Sequence, residues 1–199
     1  MIRRRTLITL GVILAVGCLS ALDHAGVFGH HAGDRSRYQG TTATVARAVD
    51  GDTIDVDIPD GGRSTTRIRL WGVDCPEIAH AEGEQDAYYG PEAAEFVRST
   101  VVGRRVRLQL DPNHECRDKY GRLLAFVYLA DDDRLLNELL IERGLAYADP
   151  RFKHVFEYRF SQLEKTVARQ KVGLWAGVTP DRLPPWRQRD QGGGSRYQY

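Results

Sequence analysis

Between Asp50 and Glu77 the chain alternates, turns and alternates again, and no other stretch restricts the fold as tightly. Ile54, Val56 and Ile58 alternate with Asp55 and Asp57, Pro59-Asp60-Gly61-Gly62 follows, and Thr66-Arg67-Ile68-Arg69-Leu70-Trp71 alternates on the return. A period of two is the signature of a strand, and Asp-Gly-Gly tolerates the positive φ of a tight reversal, so the stretch predicts two strands joined as a hairpin. Such a hairpin brings Asp50 and Asp52, at its start, beside Asp74 and Glu77, at its finish. Carboxylates crowded in this way repel one another and call for a cation, and oxygen-only ligands suit a hard one such as Ca²⁺ or Mg²⁺. Arg69, just before the second acidic group, adds a fixed positive charge nearby.

Three motifs occur in order: Asp50-Gly51-Asp52-Thr53, Arg69-Leu70-Trp71-Gly72-Val73-Asp74-Cys75-Pro76-Glu77, and Asp118-Lys119-Tyr120-Gly121-Arg122. In these motifs the chain resembles the staphylococcal nuclease (thermonuclease) family, over residues 41–176. A reading as turns and surface salt bridges leaves the co-occurrence of all three unexplained. The resemblance implies a Ca²⁺-dependent phosphodiesterase acting on DNA and RNA and leaving 3′-phosphate ends. It makes Asp52, Asp74 and the backbone carbonyl of Cys75 metal ligands, with Asp50 just outside them. Glu77 would orient or deprotonate the attacking water. Arg69 and Arg122 would clamp the scissile phosphate, a task that suits a guanidinium: its fork matches two phosphate oxygens and it keeps its charge at any working pH. Lys119 and Tyr120 are candidate substrate contacts, although Lys119 also reads as a solvated turn residue. Tyr147 is a candidate for base stacking or for the core. Here the sequence departs from the pattern, because Asp149-Pro150 follows where the family's best-known member has a second tyrosine. His80, close to Glu77 in sequence, is either a loop histidine or an aid to catalysis.

The rest of the chain is read around that domain. Strands are expected over 41–49, 53–58, 65–71, 104–110 and 123–129, which fit an α+β protein built on a five-stranded OB-type barrel with three helices. The helices are placed at 91–101, after a cap at Asp131 or Asp132 with the stripe Leu135, Leu136, Leu139 and Leu140, and at 152–170 with Phe156, Phe160, Leu163 and Val167. At the start, Arg3 to Arg5 precede 17 uncharged residues, the form of a signal peptide or a membrane anchor over 1–22, and Cys18 lies in a lipoprotein-like box. Either reading places the domain outside the cytoplasm, secreted or membrane-attached, and a monomer is expected. Residues 23–40, with His24, His30 and His31, read as a flexible linker, and 177–199 as a disordered tail. With a formal net charge of +1 there is no global basic field, so any grip on nucleic acid must be local. Once the leader is set aside, Cys75 and Cys116 are the one pair left, each beside a motif of the site, and read as a disulfide or as two reduced thiols. A non-catalytic nucleic-acid-binding module and a surface lipoprotein scaffold are the alternatives to the enzyme, and the first would be expected to lack one of the acids or arginines, all of which this chain retains.

Overall fold

The computed structural model describes residues 33–192 apart from His80 and Glu82. The leader with Cys18, the three linker histidines and His80 lie outside the described residues. Five strands close a barrel: β1 (Thr42–Ala48), β2 (Thr53–Val56), β3 (Thr66–Leu70), β5 (Arg105–Gln109) and β6 (Leu123–Leu129), in the order β1-β2-β3-β6-β5 with β5 returning to β1. An irregularity between Val45 and Arg47 lets β1 serve two neighbours, β2 along one part and β5 along the other. The alternation read in the sequence has its cause here. Ile54, Val56, Ile68, Leu70, Val106, Leu108 and Val127 are fully buried in the barrel, while Arg67 and Arg69 point to the other face of β3, whose burial alternates residue by residue. Every barrel pairing is antiparallel except β3 with β6. A parallel pair needs a long crossover, and α2 (Gly90–Val101) lies within it, laying Ala93, Val97 and Val101 on the core. The short strands β4 (Val73–Asp74) and β7 (Tyr147–Ala148) form a separate antiparallel pair, followed by α4 (Glu157–Arg169).

Two helix starts differ from expectation. The helix after β6, α3 (Leu136–Glu142), begins at Leu135 with no side-chain cap. Asp131–Asp133 instead make a turn, in which Asp133 has φ 56° and Leu129 bonds back to the carbonyl of Arg134. Residues 152–156 precede α4 rather than forming its first turn, because the Val155 N–H is drawn to Asp111 Oδ2 at 2.9 Å.

Both ends of the domain are more ordered than composition implies. The expected linker contains α1 (Asp34–Tyr38), whose Tyr38 is fully buried. Arg117, adjacent to the third motif, reaches Asp34 at 2.6 Å and Asp60 at 2.7 Å, so a charged residue carries the contact that a hydrophobic stripe would otherwise advertise. The expected disordered tail is likewise corrected as far as the described residues extend. Pro180–Arg182 forms a 3₁₀ turn, α5 spans Pro185–Gly192, and Leu183 and Trp186 are buried with Tyr147 and Leu174 in a second small core. Arg187 closes a buried ion pair with Glu164 at 2.8 Å. A helix this short shows no periodicity, and its anchors are a tryptophan and an arginine.

Candidate phosphate and metal site

The Asp50-Gly51-Asp52 loop is shaped by its own side chains. Asp50 Oδ1 accepts the Asp52 N–H at 2.9 Å, turning the chain back so that Val49 and Asp50 both reach the Thr53 carbonyl. Gly51 is required by crowding, since a Cβ there would lie 2.7 Å from Cys75 Cβ and 2.9 Å from that of Ala93. Asp52 is 2% exposed; its Oδ2 accepts the Cys75 N–H at 2.9 Å and its Oδ1 the Thr53 hydroxyl at 3.1 Å. On the opposite side, β3 ends in the turn Trp71-Gly72, where Gly72 has φ 78° and faces the His154 ring. The chain then enters β4, where Asp74 pairs with Tyr147 of β7.

Arg69 joins these two sides. Its guanidinium pairs with Asp52 and, at 2.6 Å, with Asp74 Oδ1, while also donating to the Val73 carbonyl at 3.2 Å. The hairpin therefore does bring Asp52 and Asp74 together, one on each side of a single guanidinium. Glu77 lies on the rim, its backbone pinned because its carbonyl accepts the Ala87 N–H and lies against Gly90 at the start of α2.

The third motif is a turn held by Asp118. Its Oδ1 accepts the N–H groups of Tyr120 and Arg122, its Oδ2 takes Arg122 Nε at 2.7 Å, and Gly121 supplies the φ of 78°. Tyr120 is 72% exposed, with Lys119 Nζ 4.9 Å and the Arg122 guanidinium 5.5 Å from its ring centre. One open pocket of about 930 Å³ is lined by Arg69, Asp74, Glu77, Lys119, Tyr120 and Arg122. Two separate stretches of sequence thus converge on a single cavity.

Two pairs of alternatives about the site resolve against the functional member, base stacking in one case and a disulfide in the other. Tyr147 is 2% exposed, edge-on to Trp175 at 5.4 Å and beneath Arg187, so it belongs to the second core and offers no stacking face. Burial pushes its phenol up to about 12. Cys75 and Cys116 are both free thiols. Cys75 is tied down elsewhere, its Sγ–H donating to the Gly51 carbonyl at 3.1 Å in a fully buried position. Burial raises the pKa of both thiols, and most strongly that of Cys75.

The sequence reading also missed residues. Arg151 reaches Asp149 at 2.7 Å and Asp74 Oδ1 at 3.2 Å, and Phe152, 45% exposed, leans on Trp71 with 5.2 Å between ring centres; both line the pocket. Phe152 is the exposed aromatic that Tyr147 is not. The signal was an arginine and an aromatic side by side after Asp149-Pro150, obscured because Phe152 also suited the start of a helical stripe. Trp186, from α5, donates its Nε1–H to Asp74 Oδ2 at 2.8 Å.

Among the described residues no three His, Cys, Asp or Glu side chains form a metal-binding cluster. Two carboxylates nevertheless share one guanidinium, which offsets only half of their charge, and the orientation of each is fixed by an N–H donor, from Cys75 to Asp52 and from Trp186 to Asp74. An anionic, oxygen-only donor pair of this kind fits a hard divalent cation.

A closed five-stranded barrel with this pocket of acids and arginines on it defines an OB-fold protein of α+β class, built to meet an anionic ligand. The chain belongs to the staphylococcal nuclease family: the family model for staphylococcal nuclease homologues matches residues 67–177. It is 33% identical over 177 residues to the thermonuclease of Staphylococcus hyicus, covering 85% of this chain and 98% of that one. It is 36% identical over 140 residues to the thermonuclease of Staphylococcus intermedius, covering 69% and 77%. Against an uncharacterized endonuclease of Escherichia coli O157:H7 the identity is 33% over 142 residues, 71% of this chain and 80% of the other.

Proposed function

We propose that the protein is a Ca²⁺-dependent nuclease that hydrolyses phosphodiester bonds of DNA and RNA and leaves 3′-phosphate ends. The observation that carries this reading is the convergence of Arg69, Glu77 and Arg122 on one pocket beside Asp52 and Asp74. The cation, held by Asp52, Asp74 and the Cys75 carbonyl, would offset the phosphate charge that otherwise repels a nucleophile. Arg69 and Arg122 both rest on carboxylates, and a phosphate presents the same pair of oxygen acceptors, so each can exchange one anionic partner for another. Their donors then face the oxygens on which charge develops, where they lower the barrier rather than merely bind. Glu77, exposed on the rim, takes the proton of the attacking water. Tyr120 and Phe152 offer aromatic faces to neighbouring bases. The basic start and apolar run of residues 1–22 support an extracytoplasmic location, by secretion or by attachment to the membrane, and we take the working unit to be the monomer.

The test is the initial rate on single-stranded DNA against Ca²⁺ concentration, with a chelator as zero point and thermal melts to confirm folding. Arg69→Ala and Arg122→Ala should each lose a factor of about 10² to 10³, the usual loss for a donor aimed at developing charge. Asp52→Asn should recover partly at higher Ca²⁺, and Glu77→Gln should not recover at any concentration. Cleavage by the parent that ignores chelator rejects the calcium reading, and a folded double-arginine variant with parental activity rejects the site.

A further inference from the structure

Asp74 is held by a segment that the family model does not include. The match ends at residue 177, whereas the side-chain contact on Asp74 Oδ2 comes from Trp186 in α5. The two oxygens of Asp74 have different partners. Oδ1 faces the site, taking Arg69 at 2.6 Å and Arg151 at 3.2 Å, and Oδ2 takes the indole N–H of Trp186 at 2.8 Å. The indole is itself fixed. Trp186 is 7% exposed, it packs with Leu174 and Leu183, and the Arg151 guanidinium lies 4.8 Å from its ring centre. The next residue, Arg187, is locked to Glu164 of α4 through both carboxylate oxygens at 2.8 Å. Glu164 Oε1 also accepts the Ala148 N–H of β7, and β7 is the strand that pairs with Asp74. The backbone of Asp74 and its side chain are therefore fixed by one connected unit: β7 holds the former, α5 the latter, and Glu164 ties β7 to α5.

We propose that Trp186 is a positioning residue for Asp74, and that α5 thereby sets the affinity of the site for its divalent cation. The inference rests on the calcium reading above. A free carboxylate rotates about its last bond and spreads its charge over two equivalent oxygens. A donor fixed on Oδ2 stops that rotation and keeps Oδ1, the oxygen held by Arg69 and Arg151, on the side of the site, where a cation would meet it in place of the guanidinium groups. Outer partners of this sort, when removed, typically weaken metal binding ten- to a hundredfold.

The experiment titrates Ca²⁺ into the full chain by calorimetry, without substrate, comparing the parent with Trp186→Phe, which keeps an aromatic ring in the second core and against Arg151 but loses the N–H donor. The expected result is a Kd for Ca²⁺ about ten- to a hundredfold higher, with kcat at saturating Ca²⁺ close to parental and a calcium-free melting temperature little changed. A purely packing role for Trp186 predicts the reverse, a lowered melting temperature with unaltered Ca²⁺ affinity, and that outcome overturns the proposal. A measurement on the unsubstituted protein guards against a variant that does not fold. The Trp186 indole N–H resonance, assigned by eliminating the other two indoles with Trp71→Phe and Trp175→Phe, should shift on adding Ca²⁺ with the midpoint seen by calorimetry, and an indole signal unmoved at saturation also overturns it. If the parent takes up no Ca²⁺, the calcium reading falls and this inference with it; if the parent binds and the folded variant binds equally well, only the role of Trp186 falls.

Discussion

Asn137 is a fully buried amide in the middle of an apolar stripe, and replacing it by aspartate isolates what it does. Its Oδ1 accepts the Val127 N–H of β6 at 3.0 Å and its Nδ2 donates to the Trp71 carbonyl at 2.9 Å, joining the barrel to the turn that leads to Asp74. Aspartate keeps the size and the acceptor, but at neutral pH it sets a carboxylate oxygen against the Trp71 carbonyl oxygen. Protonated, it can donate there as the amide does. Burial can raise a carboxyl by about 3 to 5 units above its ordinary ~3.9, which places the folded value near or above neutrality. A group whose folded pKa is raised contributes its full stability below the unfolded pKa and loses it as pH rises through the folded one. At pH 7 the loss is therefore about 1.4 kcal/mol for each of about three units, or about 4 kcal/mol, a large part of the ~5 to 15 kcal/mol that holds a domain together. The assay is urea unfolding followed by tryptophan fluorescence between pH 4 and pH 8, read as the difference between Asn137→Asp and parent. The gap should nearly close at pH 4 and widen with pH. A difference that is flat with pH, or under about 1 kcal/mol at pH 7, would refute the claim that the amide faces the Trp71 carbonyl with its N–H.

Three further outcomes are expected. Gly72→Ala combines a positive φ, costing about 1 to 2 kcal/mol, with a Cβ placed 2.5 Å from the His154 ring, and overpacking of that kind costs about 1 to 3 kcal/mol; thermal melts should fall by several degrees, and an unchanged melt would mean that the ring is not seated on the turn. His154 has its pKa lowered, chiefly by burial, against the pull of Asp111, Glu157 and Asp149. It therefore contributes stability that is present above the unfolded value near ~6.5 and is lost as pH falls through the lower folded value, so His154→Gln should flatten the decline in urea midpoint between pH 7.5 and pH 5.5. Non-reducing mass analysis should find both thiols free, with iodoacetamide labelling the half-buried Cys116 in the native protein and Cys75 only after unfolding; an unlabelled pair that reacts only after reduction would restore the bridge.

Much of the barrel could be read because its information is local. Each strand is written in the alternation of its own residues, so 123–129 matches β6 from end to end and the other four strands differ by a few residues at their ends. The halves of the site were also legible, because Asp-Gly-Asp-Thr and Asp-Lys-Tyr-Gly-Arg each fold by hydrogen bonds within the motif, Asp50 to the Asp52 N–H and Asp118 to the N–H groups of Tyr120 and Arg122. What escaped is long-range and polar. Asp74 meets Arg151 across 77 positions and Trp186 across 112, and neither contact leaves a period in the sequence. Asn137 was hidden by its leucine neighbours, since a stripe that predicts burial does not report which backbone groups a buried amide must satisfy. Tyr147 stayed open between stacking and core for a related reason: the sequence does not say which way β7 will face once it pairs with β4.

The same contrast explains why composition misjudged the two ends of the chain. Low hydrophobicity argues against an independent core, and neither α1 nor α5 has one. Each is instead pinned to the domain by a largely buried arginine held on carboxylates, Arg117 on Asp34 and Asp60, Arg187 on Glu164. Breaking such a pair by removing one partner costs about 3 to 5 kcal/mol, because a charge is then left in the dry, and a short helix without its own core has no means of absorbing that. Both pairs stand next to the chemistry: Arg117 precedes the loop that carries Arg122, and Arg187 follows the tryptophan that holds Asp74. Carboxylates crowded together push one another apart, and in this protein Arg69 of β3 joins the two acids while segments outside the barrel strands add two further fixed donors, Arg151 and Trp186, to Asp74.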